Sequence, residues 1–397
     1  MSTTLADRTA EDLLADHAPG RSYFGSRRGV LLAEGERAML EPGPAATLVE
    51  RAERLLADHA DGDPDALLLG ALPFAPGGVA RVFVPERVRR APALPIPDAI
   101  AAAVAPRPSA PVPGDGGPWH VRPLPEPGVY AAAVDEAVRQ MRAGGPLQKV
   151  VLARALELTA PEPIDVGALL RRLALRDPHG YAFALDLGEG ATLVGASPEL
   201  LVSRHGDLVV ARPLAGSTPR LRDPGEDHAG AAALFRSSKD RGEHALVVDA
   251  VAAALTPLCA ELDVPPEPSL VRTNAMWHLA TTVVGRLADP STTALELAEA
   301  MHPTPAVCGT PEREAAALIA DVEPFDRGPY AGTVGWQDAS GDGEWVVTIR
   351  CGIAQDDRLR VFAGAGVVAG SRGVDELAET QAKFRTFLSA LGVEEQR

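Results

Sequence analysis

Apolar positions change their period several times along the chain. "GVLLAEG" and "DALLLGALPF" are apolar runs of strand length, and "AATLVERAERLLADHA" between them repeats its apolar residues at the spacing of a helix. Residues 91–118, "APALPIPDAIAAAVAPRPSAPVPGDGGP", are rich in Pro, Ala and Gly with little periodicity, and read as a loop or extended connection. From about residue 119 the pattern sharpens. "VYAAAVDEAVRQMRAG" predicts a helix ending at Gly144, followed by a strand over 148–158 and a helix in "PIDVGALLRRLALRD". "YAFALDLG", "ATLVGAS", "LLVSRHG" and "DLVVARPLAG" predict successive strands split by Gly-type turns. A long helix is expected over roughly 228–262. Further strands are expected in "HLATTVVGRL", "AGTVGWQDA", "EWVVTIRCGIAQ" and "RLRVFAGAGVV", and a closing helix in "VDELAETQAKFRTFLSALG". Strands arrive in hairpin-like runs without strict βαβ alternation. The expected class is therefore α+β: a large, mostly antiparallel sheet system in layers, surrounded by helices.

Composition narrows the function. The 397 residues are 46% hydrophobic but only 4% aromatic, so a sizeable core is built mainly from Ala, Val and Leu. A net charge of −16 argues against a nucleic-acid binder and against an anionic membrane surface. It does not exclude a small anionic substrate, because a few cations or a metal ion can reverse the field locally. Cys259, Cys308 and Cys351 are odd in number and lack C-x-x-C spacing, so neither a disulfide framework nor a zinc site is suggested. The acidic start of the chain lacks a signal-peptide core and no apolar run reaches membrane-spanning length, so a cytoplasmic protein is expected.

Several charged residues interrupt apolar patterns. Lys149 begins the strand "KVVLAR" on the same face as Val151, Ala153 and Ala155. A lysine there ordinarily reaches back to water along its stem. In "SSKDRGEHALVVDAVAAAL", Glu243 shares a helical face with Leu246, Val247, Ala250, Val251 and Ala254. Such a carboxylate is costly unless paired, and Lys239 one turn earlier is a candidate partner. On the closing helix Glu376, Glu379 and Lys383 lie beside the apolar stripe Leu377, Phe384, Phe387, Leu388 and Leu391. Such a group is often simply a solvated face. Yet the helix follows "AGAGVVAGS", where Gly364, Gly366 and Gly370 permit close backbone approach and where amides, there or at the helix start, could hold an anion. Three glutamates from two helices suit a hard divalent cation, Mg²⁺ sooner than zinc. Arg350 in "WVVTIRCGI" falls inside a branched strand, either facing water or recognising a carboxylate. Glu199 in "GASPELL" is an ordinary turn acid or a carboxyl whose raised pKa lets it donate a proton.

Taken in order, "KVVLAR", "GASPELL", "PLAGS", "KDRGEHALVV", "HPTPAVCG", "TIRCG" and "AGAGVVAGS…ELAET…K" resemble the chorismate-utilising enzymes over about residues 125–390. The resemblance implies the chorismate-binding enzyme fold, with residues 1–118 as its N-terminal part plus the connection and 119–397 as the catalytic region. It implies Mg²⁺ held by Glu243 and Glu379 with Glu376 behind them, Lys149 as base toward water, and Glu199 as acid toward the leaving hydroxyl. Arg350 and Tyr330 would hold the side-chain carboxylate. Gly216, Ser217, Gly364 and Lys383 would fix the remaining oxygens, with His278 and Ala306 lining the pocket.

Within this family a lysine matching Lys149 marks the water-using isochorismate and salicylate synthases. Ala215 stands where aminodeoxychorismate synthases carry a lysine in "PIKGT". "HPTPAVCGTP" is similar to isochorismate synthases of catechol-siderophore pathways, whereas Tyr330 matches the salicylate synthases. The activity implied is isochorismate synthesis. Salicylate synthase is the alternative, and a non-catalytic chorismate-binding relative a more distant one. With water as nucleophile, no glutaminase subunit is expected.

Overall fold

The computed structural model describes residues 8–60, 62–63, 65–95 and 119–393. Most of the Pro/Ala-rich connection, 96–118, lies outside them.

Two large antiparallel sheets and one small one make the frame. Among the described residues the first sheet has ten strands. From edge to edge it runs Gly309–Thr310, Lys149–Thr159, Arg358–Val368, Cys351–Gln355, Ala191–Ser197, Tyr181–Gly188, Arg21–Gly25, Val30–Glu34 and Arg87–Ala91, with His120–Leu124 beside Lys149–Thr159. The nine strands of the second run Cys259–Asp263, Val283–Leu287, Leu208–Arg212, Leu200–His205, Gly343–Val347, Thr333–Asp338, Leu67–Leu72, Arg81–Val84 and Ala38–Met39. The third joins Leu214–Pro219, Met276–Ala280 and Ser269–Arg272.

Period-two alternation gives the first sheet two apolar faces. Phe183, Leu185 and Leu193 enter a core shared with Val202, Val209 and Trp345 of the second sheet. Ala182, Ala184, Val194 and Ala196 enter a second core, beneath the helices Ala10–Ala15, Val166–Arg176 and the last turns of Gly373–Leu391. The α+β reading therefore holds, with helices packed outside layered antiparallel sheets. Among the described residues no helix is long and apolar enough to cross a membrane.

Four predicted elements are divided. The helix expected over 228–262 is two helices, Pro224–Arg236 and Ser238–Leu255, followed by the edge strand Cys259–Asp263. Ser237 is extended, and its hydroxyl accepts from the Asp240 amide at 3.2 Å, the capping role serine favours over a helix interior. "DLVVARPLAG" splits at Pro213, which has no N–H for the ladder, into Leu208–Arg212 and Leu214–Pro219. "HLATTVVGRL" splits at Thr281–Thr282, and "EWVVTIRCGIAQ" at Thr348–Arg350. In each split strand the two halves belong to different sheets, so a run that reads as one strand is a passage between two.

Candidate active site

The cleft that gathers the predicted residues opens where the chain passes between sheets. Pro198 and Glu199 carry it from the first sheet to the second, Thr348–Arg350 carry it back, and Pro213 leads into the third. Its empty space is about 670 Å³, counted out to the open mouth. Glu199, Glu243, Glu379, Arg350 and Lys383 bring charge to the walls. Gly216, Ser217, His278, Ala306, Tyr330 and Gly364 complete the predicted residues that line it. Lys149 and Glu376 do not line the cleft itself. Each sits behind it, in contact with the charged groups described below.

The floor explains the small residues opposite Lys149. Strand Arg358–Val368 pairs with Lys149–Thr159 so that Gly366 faces Val151 and Gly364 faces Ala153. A methyl group on Gly366 would come within 2.2 Å of Glu243 Oε1 and 3.2 Å of Lys149 Cε. One on Gly364 would meet the Tyr330 hydroxyl at 2.9 Å. These glycines are required by close approach, not by backbone angle. Gly216 is different. Its φ of +77° forms the irregularity between Leu214 and Ser217 that turns this strand into the cleft.

At the start of the closing helix one of the amides considered for holding an anion already has a partner. The Gly373 amide donates to Asp135 Oδ1 at 2.7 Å.

Glu199 is 2% exposed. Its Oε1 accepts from the Leu214 amide at 3.2 Å, and its own amide donates to Ser197 Oγ at 3.2 Å. Burial pushes its carboxyl up to about 7, against the pull of the Leu214 amide, Lys149, Arg350 and Lys383. It is therefore substantially protonated at neutral pH.

Arg350 is not inside a strand, as the sequence suggests, but in the passage between two, at φ +51°. That backbone turn sends a buried guanidinium into the cleft, where Nη2 has no partner. Burial lowers its pKa, while Tyr330, Glu379 and Glu199 oppose the shift. His278 Nε2 is likewise buried and unpartnered. Burial, reinforced by Arg350 and Lys383, holds this imidazole well below its ordinary pKa, so the ring is neutral. Tyr330 stacks on Phe362 with ring centroids 4.7 Å apart. An anion entering here meets one charged donor and one neutral histidine, both poised and unsatisfied.

The three predicted metal carboxylates are each held by a lysine. Lys149 Nζ, 0% exposed, lies 3.0 Å from Glu243 Oε1 as an ion pair, without hydrogen-bond alignment. Lys239 Nζ donates to Glu376 Oε1 at 3.0 Å, so Lys239 reaches across to the closing helix instead of pairing with Glu243 on its own. Lys383 Nζ is 2.7 Å from Glu379 Oε1 and also donates to the Gly364 carbonyl at 2.7 Å. Ser217 Oγ donates to Glu379 at 3.1 Å. Burial works to raise Glu379, but Lys383 and Ser217 overcome it and hold the carboxyl low. Glu376 is raised, by burial first and then by Glu379.

The donor set, oxygens only and on two helices, fits a hard divalent cation in kind. Each carboxylate is turned to its lysine, and among the described residues no three acidic, histidine or cysteine side chains form a ready metal cluster.

Three contributors are invisible to periodicity. His244, next to Glu243, has Nε2 2.8 Å from Thr281 Oγ1 at one inter-sheet passage, and burial lowers its pKa to about 4. Gly366 is among the glycines the sequence marks for close approach, but what approaches it, Glu243 and Lys149, is not written in its spacing. Arg327 donates to the Val307 carbonyl at 2.9 Å and the Val151 carbonyl at 2.7 Å, two cleft residues, and pairs with buried Glu323. Its signal is the (i, i+4) pair Glu323–Arg327 in "EPFDR".

Residues 118–392 match the family model described as chorismate binding enzyme. The chain is 48% identical to the isochorismate synthase DhbC of Bacillus subtilis (strain 168) over 401 residues, covering 98% of each. It is 35% identical to the isochorismate synthase EntC of Escherichia coli (strain K12) over 407 residues, covering 99% of this chain and 100% of the relative. The crystal structure of a putative 2,3-dihydroxybenzoate-specific isochorismate synthase, DhbC from Bacillus anthracis, superposes with a TM-score of 0.90 at 44% identity, covering 97% of this chain and 99% of that one.

Proposed function

The chain belongs to the chorismate-binding enzyme family, and from that premise we propose that it converts chorismate to isochorismate. Water adds at C2 and the C4 hydroxyl leaves as water, with no net change in composition. The observation that carries the reading is the pairing of a buried Glu199, its carboxyl pushed up to about 7, with a buried lysine behind the same cleft.

In this reading Glu199 gives its proton to the departing hydroxyl, and Lys149, in the state where its amine is neutral and released from the ion pair with Glu243, takes one from the attacking water. The unpartnered Arg350 Nη2 receives a carboxylate of the substrate, with the Tyr330 ring stacked on Phe362 as a wall. The neutral His278 presents Nε2 as a hydrogen-bonding wall group without adding charge. Mg²⁺ would be held by Glu243 and Glu379 with Glu376 behind them, and would neutralise and orient the ring carboxylate when bound. Lys383 keeps Glu379 ionised for that task.

The test is an assay with chorismate and Mg²⁺ and chromatographic separation of products. Isochorismate without pyruvate is expected. Salicylate with pyruvate would instead identify a salicylate synthase, and magnesium and chorismate binding without turnover a binding protein.

The acid assignment also fixes a pH profile. Glu199 works only when protonated, and its carboxyl titrates near 7. The proton is present below that value and lost as pH rises through it. The plot of kcat/KM against pH should therefore fall above about 7, by roughly tenfold per unit once fully titrated. A Glu199→Gln variant should be folded and inactive. Because the neutral fraction of Lys149 rises over the same range, the fall is read in the ratio of the parent to Lys149→Met, and a Glu199→Gln variant that keeps parental kcat would remove Glu199 from the acid role.

A further inference from the structure

Lys239 has no task in the mechanism, yet it is bound to the machinery. It sits in the first turn of helix Ser238–Leu255, and its ammonium bridges to Glu376 on helix Gly373–Leu391 at 3.0 Å. The carboxylate it holds is 2% exposed, whereas its own side chain is 40% exposed. Its charge also acts on Glu243 and Asp240, and on Glu379.

The other two lysines of the trio are fixed. Lys149 is wholly enclosed, and Lys383 is tied to the Gly364 carbonyl as well as to Glu379. Lys239 alone of the three stands at the edge of the charge cluster, on a flexible four-carbon stem with water beside it.

We infer that Lys239 is a counter-cation of the metal site, occupying Glu376 so that the substrate-free pocket binds a divalent cation only weakly. The inference rests on the metal reading proposed above. Its physical basis is competition. An ammonium in contact with a carboxylate of the cluster supplies part of the compensation a metal ion would supply, and repels that ion at the same time. A cation entering beside Glu376 must either displace Lys239 into water or bind against its field. The alternative is that Lys239 is a strut between two helices, and the two roles move metal affinity in opposite directions. Loss of a strut loosens Glu376 and weakens metal binding. Loss of a competing cation strengthens it.

The experiment is calorimetric titration of the full chain with MgCl₂ at pH 8 without chorismate, for the parent, Lys239→Met, Lys239→Gln and Lys239→Arg. The two neutral variants should bind Mg²⁺ at least about tenfold more tightly than the parent, and Lys239→Arg should stay near it. Thermal melting supplies a second readout. The neutral variants should melt lower than the parent in EDTA, and saturating Mg²⁺ should close that gap. Unchanged or weaker Mg²⁺ affinity in both neutral variants, with the parent binding normally, overturns the counter-cation role and leaves the metal reading standing. A parent chain that binds no Mg²⁺ overturns both.

Discussion

Replacing Lys149 with alanine is expected to lower kcat for isochorismate formation by roughly 10³-fold, within the 10²–10⁴ range a general base contributes. Lys149 is enclosed at the start of the strand Lys149–Thr159, and the small floor of Val151, Ala153, Gly364 and Gly366 lies along the same faces. It lies behind the cleft wall with Glu243 as its charged neighbour, and no substrate carboxylate is assigned to it. The fall should therefore appear in kcat, with chorismate binding largely kept. Removing the ammonium also strips Glu243 of its partner, so a bulk-preserving Lys149→Met variant belongs beside the alanine. Both should be judged after circular dichroism has established a native fold. If either folded variant keeps kcat within tenfold of the parent, Lys149 is not the base. A rise in KM at unchanged kcat would make it a binding residue.

The largest effect on stability is expected at Arg327. Its guanidinium and Glu323 are each only 3% exposed. Nε donates to Glu323 Oε2 at 2.8 Å, and the other carboxylate oxygen accepts from the Ala153 amide at 2.8 Å. The remaining donors reach the Val307 and Val151 carbonyls, while the plane lies 4.3 Å above Phe74 and 5.7 Å from the Tyr330 ring. Arg327→Met would leave a carboxylate and two carbonyls short of partners. Breaking a buried pair from one side costs about 3–5 kcal/mol. With an unfolding entropy near 2 cal/mol/K per residue, that is a fall in melting temperature of about 5 °C for a chain of this length. Activity should fall as well, because the same guanidinium fixes Val151, Val307 and Tyr330 around the cleft. A melting temperature within one degree of the parent would show that the pair does not hold this wall.

Much of the site was readable because its chemistry breaks local patterns. Glu243 on an apolar helical face and Glu199 after a Ser-Pro turn stand out against their neighbours, and the order of the motifs did the rest. What escaped was decided over long distances. Spacing on one helix pairs Lys239 with Glu243, but the structure pairs it with Glu376, 137 residues away, because Lys149 already holds Glu243. Arg350 read as a strand residue because Val346, Val347 and Ile349 before it are branched. No periodicity shows that the ladder stops at Val347 and resumes at Cys351 in another sheet. The helix over 228–262 was misread for the converse reason. Apolar stretches stand on both sides of the polar run 236–244, which a helix could carry on a solvated face, and the cap at Ser237 is what places the break.

The passages between sheets have a consequence for how such a protein can change. Glu199 and Arg350 lie between strands, each held by its carbonyl, which accepts from the Val347 and Ala196 amides respectively, while the strands on both sides lock into two different frames. A substitution at these junctions changes a side chain that faces the cleft. A substitution one or two residues away, at Leu200, Leu201, Val347 or Cys351, changes a side chain packed in the core. The molecule thus separates the parts that must be conserved for folding from the parts that can be exchanged for new chemistry. Variation that redirects the reaction should collect at the junctions, and variation in the flanking strands should show first as lost protein, not as altered product.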